Sequence, residues 1–233
     1  AFTINLPAGA EGVSNLRIRF SVVANSTSAN NLRIDDFHVI GTLSSSSSSD
    51  IIANTGFTYP TNIAYNANQE ATDLTFANSV EVAQFDIRDG GASAPDGDAL
   101  STELTAISFA VANPGLLRRL AIYDGSTEIK EVASVAATTI FNSFVTTLAA
   151  ADNGTKTFSL RARFAGAVTD NQQFSFTVTS ATANPSGSTF AAADAGGAGS
   201  STAGDNNRIE VTASDIIFDQ QPTNTSINAV MAP

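Results

Sequence analysis

The sequence predicts an all-β chain in which two antiparallel sheets pack face to face as a sandwich. Every second residue is apolar from 157 to 164, and the same alternation returns from 174 to 179. Successive side chains of a strand point to opposite faces, so this period predicts strands with one buried and one solvent-facing side. Thr, Val, Ile and Phe are plentiful, which also favours strands. We find no convincing amphipathic helix; residues 146–151 could form one helical turn.

The segments 155–164 and 174–183 are expected to be antiparallel neighbours in one sheet. The connection between them, 165–173, is mostly polar and contains Gly166, which is typical of a loop joining two paired strands. Arg161 and Arg163 alternate with the apolar residues and are expected on the wet face. The apolar faces of both strands then require a second sheet to cover them.

The first unit, residues 1–43, is expected to be a partial, jelly-roll-like β unit. Residues 15–23 alternate cleanly, whereas 32–40 change phase at Asp35-Asp36. A phase change of this kind indicates a β-bulge. A lone hairpin is marginally stable in water, so we expect this unit to pack on another part of the chain or on a neighbouring chain.

The serine run Ser44–Ser49 has no apolar side chain to bury, so it is expected to be a flexible linker and a domain boundary. Residues 214–233 are expected to be the start of a further module or an extended tail. The chain begins at Ala1 without Met, and we expect it to be a mature protein or an internal piece of a longer one.

The main unit, residues 50–213, contains the remaining strands. Asp124-Gly125 between two alternating runs predicts a hairpin, because both residue types tolerate positive φ. Residues 184–206, rich in Gly, Ala and Ser, are expected to be a long loop. The further predicted strands are 79–88 (with a phase slip), 104–112, 117–123, 126–133, 139–148 and 208–213.

Composition limits the classes of function. The 233 residues carry a net charge of −11 and include 14% charged residues, against roughly 25% in ordinary soluble domains. A nucleic-acid partner is not expected, because phosphate binding needs a basic face. There is no cysteine, which excludes disulfides and thiolate chemistry. No apolar run approaches the roughly 18 residues of a membrane span. Polar residues without charge are typical of extracellular β proteins, so an extracellular location is expected.

Several stretches in order resemble a known family: VEVAQFDIRDGG, LAIYDGSTEI, GTKTFSLRARF, VTDNQQFSFTVTSATA and FAAADAGGAGSSTAGDNNRIEV. Over about residues 50–215 they are similar to the tandem modules of very large Bacteroidetes surface proteins, including gliding-motility adhesins exported by the type IX secretion system. The resemblance implies an immunoglobulin-like sandwich, strung end to end with others. The phrase NLRIDDFHVIGT at 31–42 is similar to the last strand of secreted jelly-roll domains in the same bacteria.

One loop is a candidate calcium site. Asp89, Asp96 and Asp98 lie in a Gly-containing turn with Glu103 nearby, and calcium prefers several oxygen ligands, often carboxylates on a loop. The alternative is an ordinary solvated turn, since Asp-Gly is a common turn pair. Asp194, Asp205 and Asn206 are candidates for a second cluster of this kind. No cofactor is required by the sequence, and calcium is the one that it allows.

Catalysis is not expected. His38 is the only histidine, nothing near it in the sequence suggests an orienting partner, and G-x-S-x-G does not occur. Paired carboxylates could serve a glycosidase, but sugar sites usually carry aromatic platforms. There is no Trp, and the only Tyr candidates are Tyr59, Tyr65 and Tyr123.

These patterns favour a non-catalytic, structural or adhesive module of a long, repetitive, secreted cell-surface protein. Its expected partners are neighbouring modules or copies of the same chain, joined by β-strand contacts, together with an external surface or glycan. The alternative is a carbohydrate- or calcium-binding sandwich module of a secreted protein.

Overall fold

Two antiparallel sheets form the body of the protein in a computed structural model, which describes residues 17–19, 46–69, 73–92, 96–191, 193–213 and 215. The helices are short: α1 spans Tyr65–Asn68, and a 3₁₀ turn spans Pro114–Leu116. The strands are β1 (Asp50–Ala53), β2 (Ile63–Ala64), β3 (Val80–Arg88), β4 (Thr102–Ala112), β5 (Leu117–Asp124), β6 (Thr127–Val132), β7 (Thr138–Asn142), β8 (Ala149–Ala150), β9 (Thr155–Phe164), β10 (Ser175–Ala183) and β11 (Ile209–Glu210).

The strand order confirms the all-β sandwich. One sheet has the order β1-β3-β9-β5-β6, and the other has the order β10-β4-β7, with β8 paired to the start of β4. The short strands β11 and β2 form a separate parallel pair. The two-layer architecture is immunoglobulin-like, but the strand pairing differs from that of an immunoglobulin domain. The last two long strands of an immunoglobulin domain are neighbours in one sheet, whereas here β9 and β10 lie in different sheets.

The expected pairing of 155–164 with 174–183 is therefore wrong. Both strands exist where the alternation predicts them, but β9 pairs with β3 and β5, and β10 pairs with β4. Their aromatic side chains meet across the sandwich, with the rings of Phe164 and Phe174 6.0 Å apart. Alternation specifies which face of a strand is buried and not which strand lies beside it. The connection 165–173 is long enough to cross the roughly 10 Å between packed sheets.

Phenylalanines from both sheets form the centre of the core. Phe85 on β3 contacts Phe158 on β9 at 5.8 Å and reaches across to Phe109 on β4 at 5.9 Å between ring centroids. Phe109 in turn contacts Phe141 on β7 at 5.8 Å. All four rings are at most 3% exposed. Edge-to-face and offset ring pairs add about 0.5–1.5 kcal/mol each to the burial of apolar area, so this chain of rings joins the sheets.

The local signals within strands are confirmed. The register of β3 against β9 shifts between Glu81 and Ala83, where the sequence changes phase. β5 and β6 form the predicted hairpin, with Asp124 opposite Thr127. Its two turn residues are therefore 125 and 126 and not Asp124-Gly125, and Gly125 supplies the positive φ of 57°.

The outer face of β9 is not wet, contrary to expectation. Arg161 and Arg163 are 8% and 5% exposed. The segment before β3 covers them: Arg161 donates from Nε to Ser79 Oγ at 2.9 Å, and its guanidinium lies 4.3 Å from the ring of Phe76. Arg163 donates to the backbone carbonyls of Asn78 and Gln69. The planar guanidinium satisfies several carbonyls while its stem packs on apolar surface.

The serine run is not a free linker over its described part, 46–49. Ser49 is fully buried, and its Oγ lies 2.7 Å from Thr102 Oγ1. Ser49 N–H donates to the carbonyl of Thr189 at 3.1 Å. The long loop 184–206 thus has a structural role, because its first half receives the serine run as a partner.

Other predictions fall outside the described residues. These are the two strands of the unit 1–43 (apart from the exposed residues 17–19), Asp35-Asp36, His38, and the segment 214–233 apart from Asp215. Residues 146–151 form no helical turn; they lead into β8. None of the helices in the described ranges has the length and apolarity that spanning a bilayer demands.

Candidate metal centre

Three carboxylates converge at one end of the sandwich. Asp89 directly follows β3, Asp96 lies in the connection between β3 and β4, and Asp152 lies in the turn between β8 and β9. One carboxylate oxygen from each residue lies within 4.8 Å of the other two. We call this end of the molecule, defined by Asp89, Asp96 and Asp152, the acidic pole.

Asp89 is the buried member of the group, at 3% exposure. Its Oδ1 accepts a 2.5 Å hydrogen bond from Thr102 Oγ1, and its Oδ2 accepts a 2.8 Å bond from the N–H of Asn153. Its own N–H donates to the carbonyl of Gly154 at 2.9 Å. Asp89 therefore ties the end of β3 to the start of β4 and to the β8–β9 turn.

Asn153 makes the convergence possible. It adopts a left-handed φ of 53°, which Asn tolerates better than most residues. In that conformation its N–H reaches Asp89, and its Oδ1 accepts the N–H of Asp96 at 2.8 Å. The same turn places Asp152 beside the other two carboxylates. Asp152 is exposed, and its Oδ1 accepts a 3.1 Å bond from Asn153 Nδ2.

The serine run forms the other wall of the pole. Ser46 Oγ donates to Asp96 Oδ2 at 2.5 Å, and Ser48 Oγ lies 3.3 Å from the same oxygen. The backbone carbonyl of Ser48 approaches Gly91 so closely that a Cβ on that glycine would lie 2.5 Å from it. The hydroxyl groups of Ser46 and Ser48 therefore lie against the carboxylate of Asp96.

Asp98 is not part of the cluster, which corrects the predicted trio. Its carboxylate binds elsewhere: Oδ2 accepts from Ser46 N–H at 2.7 Å and from Ser188 Oγ at 2.8 Å, and Oδ1 accepts from Leu100 N–H at 2.8 Å. Burial alone would raise the pKa of Asp98, but the hydrogen bonds from Leu100, Ser188 and Ser46 outweigh it, so the pKa lies below its ordinary value. Asp98 joins three segments of chain and acts as a structural carboxylate.

The acidic pole has the donor chemistry of a calcium site. Calcium takes six to eight oxygen ligands, mostly carboxylates, carbonyls and water. Asp89, Asp96 and Asp152 supply three carboxylates in an arrangement that an ion between them would neutralise. Hydrogen bonds to Thr102, Asn153 and Ser46 already use lone pairs of Asp89 and Asp96, and this fits the alternative of a hydrogen-bonded loop junction equally well.

The other predicted ligand sites are not assembled. No acidic cluster around Asp194 or Asp205 occurs within the described ranges; Asp205 pairs with Arg208 at 2.9 Å. Tyr123 is 2% exposed, so it offers no platform to a sugar. Tyr65 packs on Phe164 with its hydroxyl bound to the carbonyl of Gly166.

Asp152 is the site residue that sequence reasoning missed. It lies 63 positions from Asp89, and no spacing rule connects the two. The available signal was the Asp-Asn-Gly turn directly before β9, because β9 pairs antiparallel with β3 and so brings that turn beside the end of β3.

Neither a protein-family model nor a curated protein matches this chain.

Proposed function

We propose that this chain is a non-catalytic structural module of a long, repetitive, secreted cell-surface protein, as the sequence resemblance implies. The observation that supports the proposal best is the course of the chain through the sandwich. The chain enters the described body at one pole and leaves it at the other, which is the arrangement that modules strung end to end require.

The entry lies at the acidic pole. Ser46 binds Asp96 and Asp98 there, and β1 then runs alongside β3 from Asp50 opposite Arg88. The exit lies at the far pole, which carries the β9–β10 connection. There Val211 N–H donates to Asp170 Oδ1 at 2.8 Å. β9 spans the body between the poles, and its ten residues correspond to about 30 Å at 3.3 Å per residue.

Both terminal attachments run along the direction in which tension would act. β1 is antiparallel to β3 and leads inward from the entry, and β11 is parallel to β2 and leads outward to the exit. Pulling the two ends apart shears these strands along their partners. Shear loads all the hydrogen bonds of a strand pair at once, whereas peeling loads them one at a time. This geometry suits a module that transmits force.

One depression of the surface has no ionisable side chain in its lining. It has a volume of about 520 Å³ and lies beside the 3₁₀ turn. Its lining residues carry no ionisable side chain: Asn113, Pro114, Gly115, Leu116, Ala167, Val168, Thr169 and Gln172. General acid–base or nucleophilic chemistry would need such groups within hydrogen-bond reach of a substrate.

Two experiments test the proposal. Copies of the chain linked in tandem and stretched one molecule at a time should unfold in evenly spaced force peaks, one for each copy. Antibodies against the chain should label intact cells of the source without permeabilisation. Unfolding without resolved peaks would contradict a mechanical role, and labelling only of permeabilised cells would contradict a surface location.

A calcium-stabilised form of the same module is the second candidate, favoured by the convergence at the acidic pole. Calcium up to about 1 mM, the weak end of extracellular sites, should then raise the melting temperature of the chain, because a ligand that binds only the folded state stabilises it. No shift at that concentration would leave the acidic pole as a loop junction.

Asp152→Asn is the variant that separates the two interpretations. Asp152 contributes a carboxylate to the cluster, and among the described residues it receives a single hydrogen bond, from its neighbour Asn153. The substitution should abolish the calcium shift and leave the melting temperature without calcium almost unchanged. Asp170→Asn, the same charge change at the far pole, is the matched control and should preserve the calcium shift.

A further inference from the structure

The long loop 184–206 covers two of the sheet edges. Along β1, Ile51 N–H donates to the carbonyl of Asp194 at 3.0 Å. Along β10, Val178 N–H donates to the carbonyl of Ala198 at 2.8 Å. The outer backbone groups of both strands are thus paired within the chain. This covering removes two of the edges at which another strand could add.

The edges at β6 and β7 differ from each other in charge. β6 carries Glu128, Lys130 and Glu131, and charged side chains discourage the pairing of an exposed edge with another strand. β7 reads TTIFN and carries no charge. The entire segment 133–151 lacks an ionisable side chain, in a chain with a net charge of −11. β7 is therefore the edge without electrostatic protection.

The pairing of β7 with β4 shows which backbone groups face outward. Val111 N–H donates to the carbonyl of Ala137 at 2.9 Å, and the register continues with Phe109 opposite Thr139 and Ile107 opposite Phe141. Hydrogen-bonded and non-hydrogen-bonded pairs alternate along an antiparallel ladder. The N–H and C=O groups of Thr139 and Phe141 therefore point towards β4.

The outward groups of β7 belong to the remaining three residues, Thr138, Ile140 and Asn142. All three are exposed, and Ile140 is 52% exposed. In the part of the chain that the structure describes, the backbone groups of these three residues form no hydrogen bond. The backbone N–H and C=O groups of these three residues therefore point outward, and the exposed apolar side chain of Ile140 lies at their centre.

We propose that β7 is a self-association edge, at which two copies of the chain pair antiparallel about a two-fold axis through Ile140. The two-fold axis places Ile140 opposite Ile140 of the second copy, and Thr138 opposite Asn142. These are hydrogen-bonded pairs, each exchanging two N–H···O=C bonds. The β10, β4 and β7 strands of both copies then form one continuous sheet.

The uncharged edge at β7 is where a second copy of this acidic chain can approach. Two chains of net charge −11 repel each other, and they approach at least cost where neither carries an ionisable group. In a two-fold contact the same surface of each copy meets itself. β7 meets its own copy in this way when Ile140 lies opposite Ile140. The strand has five residues, so the contact area falls below the roughly 1,200 Å² of stable complexes and the dimer is concentration-dependent.

This contact lies along the side of the sandwich and not at its poles, so it goes beyond the proposed end-to-end role and does not rest on it. Through it, modules of two filaments that run in opposite directions associate side by side. A force experiment on tandem copies and a measurement of dimerisation can therefore fail independently of each other.

Sedimentation equilibrium of the full chain tests the association. Wild type should show a monomer–dimer equilibrium, and Ile140→Lys should be monomeric, because it places two like charges opposite each other. Thr182→Lys adds the same charge to an exposed position of β10 on the same face and should dimerise as wild type does. A monomeric wild type, or a dimer unaffected by Ile140→Lys, would overturn the proposal; in the first case a different polypeptide could still occupy the edge.

Single cysteines test the register, because the chain has no cysteine of its own. Hydrogen-bonded antiparallel pairs have Cα atoms about 5.5 Å apart, within the range that a disulfide spans. Under mild oxidation Ile140→Cys should therefore give a covalent dimer. Thr138→Cys, on the same strand, should not, since the two cysteines would lie four residues or about 13 Å apart along it. Equal cross-linking of both variants would contradict the two-fold axis at Ile140.

Discussion

At the scale of single residues, the buried arginines of β9 differ most from what their sequence pattern indicates. Arg161 stacks on Phe76 and lies 5.9 Å from the ring of Tyr123. Burial lowers the pKa of Arg161, while Glu81 and Tyr123 act in the opposite direction. Arginine remains charged throughout the accessible pH range. Because the guanidinium of Arg161 stays charged, its hydrogen bonds to Ser79 have to offset the free-energy cost of removing that charge from water.

Arg161→Ala should therefore destabilise the protein strongly, by about 3 kcal/mol, because it leaves buried partners without a donor. Arg161→Lys should cost less than the alanine variant, since it keeps the charge and loses the planar fork. Urea denaturation measures both free energies of unfolding. Lys156→Ala is the control: Lys156 pairs with Asp124 at an exposed site, and exposed pairs contribute at most about 1 kcal/mol. Equal costs for the Lys156 and Arg161 variants would contradict this account.

Asp98 provides a prediction about pH. Its pKa is lower in the folded than in the unfolded state. Its contribution to stability is therefore present above the unfolded-state pKa, and it is lost as the pH falls through the folded-state pKa. Asp98→Asn should lower stability at neutral pH by about 1–2 kcal/mol and should flatten the acid limb of the stability–pH curve. Ser188→Ala removes one donor and should flatten it less. An unchanged acid limb in Asp98→Asn would show that other carboxylates determine it.

At the scale of elements, the serine run shows how a polar segment becomes part of a fold. Ser46–Ser49 has no apolar side chain to bury, yet backbone bonds to Thr189 hold it. Its hydroxyls bind Asp96 and Thr102. A serine-rich segment lacks a packing signal of its own, but it can still satisfy the polar groups of neighbouring loops.

The close contact at Gly91 gives a test of this packing. Gly91 and Gly97 both have positive φ, of 69° and 81°, and they differ in their surroundings. A Cβ on Gly91 would lie 2.5 Å from the carbonyl oxygen of Ser48, whereas a Cβ on Gly97 would meet nothing within 4 Å. Gly97→Ala should cost about 1–2 kcal/mol from backbone strain alone. Gly91→Ala should cost clearly more, at least about 3 kcal/mol. Equal losses in thermal or urea denaturation would mean that the serine run does not pack there in solution.

At the scale of the whole molecule, the crossing of β9 and β10 into different sheets makes the two sheets depend on each other. Each sheet contributes part of the ring cluster, and the connection 165–173 joins them at the far pole. The apolar faces of the two sheets bury each other in one core. The body should therefore unfold as one cooperative unit.

Phe109→Ala tests this cooperativity. Phe109 is 3% exposed and contacts Phe85 in one sheet and Phe141 in the other. The substitution should cost about 3–5 kcal/mol and should still give a single transition, monitored by tyrosine fluorescence and by circular dichroism. Val145→Ala, at a site 94% exposed, should cost less than about 0.5 kcal/mol. Two separate transitions in Phe109→Ala would show that the sheets fold independently.

The pattern of apolar residues was enough to predict the class of fold and most of the strands. Alternation located β9 and β10, the phase slip located the bulge of β3, and the Gly125 turn located the β5–β6 hairpin. These features are local, because they depend on which face of a short segment avoids water.

Which strands and side chains become neighbours depends on long-range contacts. The fold places β9 and β10 in different sheets, covers Arg161, and replaces Asp98 by Asp152 in the acidic cluster. Among the residues that the structure describes, it leaves β7 as an uncharged edge strand. Each of these outcomes depends on contacts between segments distant in sequence. A period of two carries no information about such contacts, because every strand with one apolar face would satisfy it equally well in either sheet.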